Sequence, residues 1–395
     1  MSPKIALFTP YLPAPAHSGG RIRMHRFAEA MAKRFEVHLF ASAALYEIRR
    51  HLSSPELAMY ASVNVAWGVV DFLPALRRPS RVRAASPGKL ERAFRRSDRQ
   101  RRFEAAVAEH SHAAWIPESA RPLPWVLDEH NVESDYVEAK IRSAGRAPNV
   151  VQRREIRALR RWEERLWTDA NEVVCVSNDE ARRVEGVRGR SAVVIPNGAA
   201  IAEVPFKRPS ARDGYDILFV GILEHPPNVE AARFIVTEIL PRVAAIEPRA
   251  RVVLCGARPS RDVLALASDR VTVTGRVPSV VPYLERAAVY ANPLRQGAGT
   301  SLKVLEALAS GVPLVSTAVG VRGFSLSSPE HFLLADDAAG FARHIATCFR
   351  ERDARDHAAE AGRRFAERYD WAVLASEFAE VVDRVARVAP RNGAK

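Results

Sequence analysis

Short runs rich in Val, Ile and Leu recur along the whole chain, each bounded by a polar or glycine-bearing segment. KIALFTP from Lys4, EVHLFA from Glu36, SVNVAWGVV from Ser62, HAAWIP from His112, PWVLDEH from Pro124, EVVCVS from Glu172 and AVVIPNG from Ala192 read as strands. Helical stretches stand between them, the first from Gly19 to Lys33. Strands apolar on both sides of the pleat and alternating with helices indicate a parallel sheet covered on both faces. The first half is therefore expected to be a Rossmann-like α/β domain.

The pattern breaks after Pro196-Asn197-Gly198, where AAIAEVPFKRPSARDGYD is rich in Pro, Gly and charge and reads as a linker. It then restarts with strands DILFVG from Asp216, RVVLCG from Arg251, VTVTG from Val271, AVYANP from Ala288 and VPLVST from Val312. Helices are expected from Asn228 to Leu240, up to Arg286, and from Ser301 to Ala309. From Ala338 to Val388 the chain reads as helices, the last long enough to pack back on the first domain. The expected division is an N-terminal domain over 1–200, a second Rossmann-like domain over 201–369, and a C-terminal helix over 370–395.

The 395 residues weigh 43.7 kDa, and a hydrophobic share of 47% with 27% charged residues excludes disorder as the main state. The N-terminus lacks the order of a signal peptide and no window has the apolar length of a membrane helix, so a cytoplasmic protein is expected. Cys175, Cys255 and Cys348 lie far apart, against a disulfide framework or a cysteine zinc site. The net charge of +13 calls for an anionic partner. Between Arg77 and Arg102 eleven basic residues face two acidic ones, with Leu90, Phe94 and Phe103 among them. This stretch is too poor in apolar residues to be expected in the core. It reads either as a basic helical insertion meeting an anionic membrane at the inner face or as a solvated surface.

The richest segment for chemistry is NPLRQGAGTSLKVLEALASG, from Asn292 to Gly311, between two strands. A glycine-bearing loop that feeds a helix at the carboxyl end of a parallel strand presents free N–H groups and a positive dipole to an anion. Gly297 and Gly299 allow a phosphate to approach backbone, and Thr300 or Ser301 can cap the helix. The N–H groups of Thr300, Ser301 and Leu302 are candidate diphosphate donors. Lys303 and Glu306, three apart, offer a cation for phosphate and a carboxylate for ribose hydroxyls, unless they form an ordinary surface pair. The loop lacks GxxxxGK[ST], and no GxGxxG follows the first strand, which disfavours a P-loop ATPase and a nicotinamide dehydrogenase. No Asp-x-Asp pair is present, so no metal is demanded and no cofactor is expected.

PLRQGAGTSLKVLEALASGVPLVSTAVGVRGF resembles the donor-binding region of glycosyltransferase family 4, retaining enzymes of the GT-B fold, in its GxGTxLK variant. FVGILEHPPNVEAARFI, VTVTGRVPSVVPYLERAAVYANPL, VVCVSNDEA, VIPNG, the Gly19-Gly20 loop and LDEHNVES stand in the family's order. The resemblance implies two Rossmann-like domains facing across a cleft and a transferase acting on a nucleotide-sugar donor. It implies that Glu306 holds both ribose hydroxyls. Ala298 stands where the first glutamate of the family's pair would fall, so backbone N–H groups from Gly297 to Thr300 must serve the donor sugar. Ile222-Leu223-Glu224-His225 replaces a basic pair, which passes charge neutralisation to Lys303, the helix terminus and Arg295. Gly19 and Gly20 would face the donor phosphate or the acceptor, although a plain helix start capped by Ser18 reads equally well. His130 would lie beside the transferred sugar, or else simply bond Asp128 or Glu133. Arg276 would flank the base, or stand as an exposed loop arginine, and Ser177 with Glu180 reads as a capping box.

The expected activity is transfer of a sugar to a glycan or lipid-linked acceptor of surface polysaccharide assembly, without a metal. A nucleotide-sugar 2-epimerase of the same architecture and a nucleic-acid-binding protein are the rivals. Nucleic acid is disfavoured because the basic stretch lacks interleaved stacking aromatics.

Overall fold

The computed structural model describes residues 2–16, 19–67, 79–80, 87–114, 123–143, 147–296 and 300–388. Its contacts divide the chain into two compact units, Met1–Asn197 with Ala372–Lys395, and Gly198–Trp371.

In the first unit β1 (Lys4–Thr9) leads to α1 (Gly19–Ala32), β2 (Glu36–Ala43), α2 (Leu45–His51) and β3 (Ser62–Trp67). After α3 (Pro87–Arg101) come β4 (Ala105–Glu109), β5 (Trp125–Glu129), α4 (Glu133–Ser143), α5 (Val150–Asp169), β6 (Glu172–Cys175), α6 (Asn178–Arg188) and β7 (Val193–Val194). The seven strands are parallel, in the order β3-β2-β1-β4-β5-β6-β7. Strand order reverses between β1 and β4, and the carboxyl ends flanking such a reversal are where open sheets bind ligands.

Helix α5 shows how sequence sets position. Asn149 and Gln152 exchange side-chain and backbone hydrogen bonds at its start, while Ile156, Leu159, Trp162, Leu166 and Trp167 recur every three or four residues and are buried. That stripe lies on the cluster formed by Phe8, Phe40, Trp125 and Leu127.

Two expectations fail in this unit. The fourth strand is Ala105–Glu109, wholly buried, whereas His112 sits in a single 3₁₀ turn, Ser111–Ala113. AAVAE is weak in β-branched residues, so its strand character comes from neighbours on both sides and not from propensity. The basic stretch also enters the core: Leu90, Phe94 and Phe103 are at most 2% exposed, and Phe94 packs edge-on against Phe8 and Phe40. Leu90 and Phe94, four apart on one stripe, with Phe103 just beyond the last turn, anchor a helix whose other faces stay charged. Residues 68–78 and 81–86, part of that segment, lie outside the described residues.

The second unit has β8 (Asp216–Val220), α7 (Pro226–Phe234), α8 (Leu240–Ile246), β9 (Arg251–Cys255), α9 (Arg261–Leu264), β10 (Val271–Val273) and α10 (Val281–Arg286). It continues with β11 (Val289–Asn292), α11 (Leu302–Ser310), β12 (Leu314–Ser316), β13 (Leu333–Leu334), α12 (Ala338–Arg350) and α13 (Asp356–Glu367). The parallel order is β10-β9-β8-β11-β12-β13, with its reversal between β8 and β11. Ile217 and Phe219 enter one buried cluster and Leu218 the other, as the two-residue period of a doubly covered strand requires. The helix expected from Asn228 to Leu240 runs from Pro226 through a π turn at Ile235–Ile239 into α8. Pro241 has no N–H to give the preceding turn, and the wider turn absorbs that loss. The stretch read as a linker is packed: Arg212 donates to the carbonyls of Leu284, Ala287 and Ser310 at 2.6–2.7 Å.

The last helix, α14 (Trp371–Val388), begins in the second unit and belongs to the first from Ala372 onward. Within the first unit Phe378 stacks on Phe27 of α1 at 4.2 Å, and Arg34 donates to Ser376 at 3.2 Å.

Candidate functional site

At the carboxyl ends of β1, β4 and β5, the loop after β1, the start of α1 and the segments after β4 and β5 meet around Gly20. A Cβ placed on Gly20 would lie 2.7 Å from the Tyr11 hydroxyl, 3.5 Å from His130 Nδ1 and 3.8 Å from His110 Nε2. Glycine here is a space requirement. Tyr11 and His110 are hydrogen-bonded at 3.2 Å, and the His110 and His130 rings are 3.8 Å apart. Burial, reinforced by His130, depresses His110 to about 4, so its imidazole is neutral near pH 7.

His130 is fixed from behind. Its Nε2 lies 2.8 Å from Glu109 Oε2 and 3.2 Å from Asp128 Oδ2. Asp128 in turn accepts two bonds from the fully buried Arg23 of α1, at 2.7 and 2.8 Å. The same guanidinium reaches the carbonyls of Ile195 and Pro196 at 3.0 and 3.1 Å. Burial opposes ionisation of Asp128, yet Arg23 and His130 hold it well below the usual carboxylate range. Glu109 has no cation of its own, and burial together with the Asp128 charge lifts it well above that range. Of two adjacent carboxyls, one is thus an anion and the other a neutral acid. With Nε2 turned to both, Nδ1 is the ring atom directed at Gly20. Glu109, Asp128 and His130 bring three donor atoms together, as a metal would need, but His130 Nε2 is already engaged by Glu109 Oε2 and Asp128 by the Arg23 guanidinium.

In the second unit α11 starts at the reversal between β8 and β11. Ser301 stands at its N-cap position with φ −89° and ψ 85°, and its side chain makes no capping bond, contrary to the expected cap. The hydroxyl is buried without a partner. The first-turn N–H groups of α11 are therefore not taken by that hydroxyl. Lys303 crosses to the other side of the reversal, its Nζ 3.2 Å from Asn228 Oδ1 and 4.5 Å from the centre of the Phe219 ring. Burial lowers Lys303 to about 8 and raises Glu306. Among the described residues neither has a close ionic partner, and a lysine and a carboxyl shifted by burial in this way are poised for charged or polar ligand groups. Asn228 itself lies against Gly221, where a Cβ would come within 2.9 Å of its amide carbon.

The remaining expected residues are placed as follows. Thr300, Ser301, Leu302, Lys303 and Glu306 are together on and before the first turns of α11, all partly exposed. Gly297, Ala298 and Gly299 lie outside the described residues. Gly19 opens α1 beside Gly20 with open space around it, while Ser18 is not described. Arg276 is exposed after Gly275, whose φ is +68°. Arg295 stacks over Phe234 at 4.1 Å. Ser177 caps α6 by accepting from the Glu180 N–H at 3.3 Å. Sequence reasoning missed Tyr11, Arg23, Glu109 and His110. A histidine and acidic residue directly after a buried strand was the available signal, and the mistaken placement of β4 hid it. A concavity of about 980 Å³ lies away from this site, at the amino ends of β8 and β9 around Asp216, Arg251 and Arg286, where Arg286 pairs with Asp216.

Two Rossmann-type units with parallel sheets of this order define a GT-B architecture. Across most of its length the chain matches two family profiles, Glycosyltransferase Family 4 over residues 17–203 and Glycosyl transferases group 1 over residues 214–351. It belongs to this family of glycosyltransferases. It is 25% identical over 238 residues to a phosphatidyl-myo-inositol mannosyltransferase of Mycobacterium leprae, a match covering 58% of this chain and 62% of that protein. It is 25% identical over 287 residues to a glycogen synthase of Mycobacterium tuberculosis, covering 69% of this chain and 67% of that one. Among solved structures, sucrose-phosphate synthase from Thermosynechococcus elongatus superposes with a TM-score of 0.67 at 16% identity, over 98% and 99% of the two chains. Anabaena HepE in complex with UDP gives 0.63 at 16% identity, over 97% and 100%.

Proposed function

We propose that the protein transfers a sugar, with retention, from a nucleoside diphosphate donor to a hydroxyl of a glycan or lipid-linked acceptor in surface polysaccharide assembly. The observation that carries this reading is Lys303, a half-buried cation without a carboxylate partner among the described residues, at the start of α11 and one turn from Glu306. As the bond to the diphosphate breaks, negative charge grows on the leaving group. Lys303 and the first-turn N–H groups of α11 are preorganised to receive it, so the transfer needs no metal at the diphosphate. Glu306 accepts hydrogen bonds from the ribose hydroxyls, and Arg276 flanks the base. His130 orients groups near the anomeric carbon through Nδ1, with Gly19 and Gly20 leaving room for phosphate or acceptor oxygens. That solved HepE structures contain UDP or UDP-glucose supports a nucleotide-sugar donor.

Among the described residues no helix is long and apolar enough to cross a membrane. The exposed Lys89, Arg92, Arg95, Arg96 and Arg99 of α3 suit peripheral contact with an anionic inner membrane face, where a lipid-linked acceptor would be met.

A thermal-shift screen of UDP-, GDP- and ADP-sugars tests the donor assignment: binding to the native state raises the melting temperature. The Glu306→Ala variant should bind the same nucleotide more weakly by calorimetry. Equal affinity in both proteins removes Glu306 from the donor site, and production of an epimer from donor alone would favour the epimerase.

A further inference from the structure

Lys303 reaches away from its own helix and ends against the first turn of α7, where Asn228 Oδ1 lies 3.2 Å from its Nζ. The carboxamide cannot be turned round without loss, because its Nδ2 donates to the Ile222 carbonyl at 3.0 Å. An amide whose N–H₂ group is held by a carbonyl presents its oxygen, an acceptor, to the ammonium. Gly221 sets the space around it. A Cβ there would stand 2.8 Å from Nδ2, 2.9 Å from Cγ and 3.2 Å from Oδ1. Gly221 and Ile222 directly follow β8, so the turn at the carboxyl end of that strand fixes the side chain along with α7. The Phe219 ring of β8, 4.5 Å from Nζ, forms a second wall.

An amide oxygen and an aromatic face both attract an ammonium, and neither carries a negative charge. Of the charged and titratable groups on the elements around Lys303, Glu306 lies one turn along α11, and Asp216 at the far end of β8 pairs with Arg286. Glu224 before α7 pairs with Arg258 at 2.9 Å, and His225, Glu230 and Arg233 lie before and along that helix. Among the described residues no carboxylate stands within ion-pair distance of Nζ. The turn from Gly221 to His225 holds no lysine or arginine, so the cation at this place is brought from α11 and must be steadied on arrival.

We propose that Asn228 is a positioning residue for the diphosphate: its carboxamide, locked by Ile222 and Gly221, aims the Lys303 ammonium across the reversal and leaves its charge uncompensated. A carboxylate at the same place would hold the ammonium as firmly and cancel its charge. The inference rests on the donor reading above, in which Lys303 receives the charge of the leaving group.

The test is calorimetric titration of the full-length protein with UDP and with GDP between pH 7 and 9.5, for the wild type, Asn228→Asp, Gly221→Ala and Lys303→Met. Circular dichroism checks that each variant is folded. Asn228→Asp keeps the shape and adds a charge, so at pH 7 the nucleotide should bind about tenfold or more weaker. A carboxylate beside Lys303 also favours the ammonium form. The fall in affinity that the wild type shows above about pH 8 should therefore move up by about one unit or more. Gly221→Ala displaces the carboxamide without adding charge, and should weaken binding about threefold to tenfold with no upward move of that fall. An unmoved pH profile in Asn228→Asp, or wild-type affinity in both folded variants, overturns the proposal, while a weakened Lys303→Met keeps the donor reading. If the wild type binds neither nucleotide, or Lys303→Met binds as tightly as the wild type, the donor reading fails and takes this inference with it.

Discussion

Lys303 carries the sharpest prediction at the level of single residues. Burial lowers it to about 8, and a bound diphosphate favours the charged form, so UDP affinity is full below pH 8. As pH rises past 8 the proton must be taken up on binding, and affinity should fall, approaching tenfold per unit. Calorimetry from pH 7 to 9.5 reads this slope, which should be absent in Lys303→Met. In the free protein the same shift acts on stability with the opposite slope: the unfolded chain holds the extra proton between about 8 and 10.5, so this group's contribution rises with pH across that window. Turnover of Lys303→Ala should fall by about 10²–10³ with an unchanged circular dichroism spectrum. Gly20→Ala would push a methyl against the Tyr11 hydroxyl, and should lower kcat/KM while the melting temperature barely moves. Lys303 and Glu306 were legible in the sequence because one loop and one helix turn carry both. Tyr11, Arg23, Glu109 and His110 were not, because only the parallel register of β1, β4 and β5 brings their segments together.

Helix α3 shows an element whose composition misleads and whose spacing does not. Its charges dominate any average, yet Leu90 and Phe94, four apart, fix it to the sheet side by side with Phe103. Phe94→Ala should cost about 3–5 kcal/mol in chemical denaturation. Replacing the exposed Arg92, Arg95 and Arg96 together with Gln should change stability by roughly 0.5 kcal/mol or less per site. The same triple variant should sediment less with phosphatidylglycerol vesicles than the wild type does. Equal sedimentation would leave α3 a solvated surface. Strand β4 was hidden by a related effect in reverse, since alanine signals a strand weakly even where both faces are covered. In the second unit, richer in Val, Ile and Leu, β8 and β9 were readable almost to the residue, VTVTG and VPLVST shorten to Val271–Val273 and Leu314–Ser316, and the two-residue β13 was too short to be read.

For the molecule as a whole, both sheets follow from one rule of alternating apolar runs and helices, repeated after a break. The buried Arg23–Asp128 pair joins α1, β5 and the segment before Gly198. Asp128→Asn removes the anion and leaves Arg23 buried without its counter-charge, which should cost about 3–5 kcal/mol in the stability of the first unit. The other long-range tie is α14, which brings Phe378 onto Phe27. Because this helix follows the whole second unit in the chain, the first unit leaves the ribosome without one of its own walls. At roughly 5–20 residues per second, synthesis of the intervening unit imposes a delay on the order of ten seconds or more. Throughout that interval the nascent half presents Phe27, fully buried with Phe378 stacked on it in the finished fold, as an open greasy seam. Such a seam is a natural foothold for a holding chaperone, and the arrival of α14 is the event that would evict it.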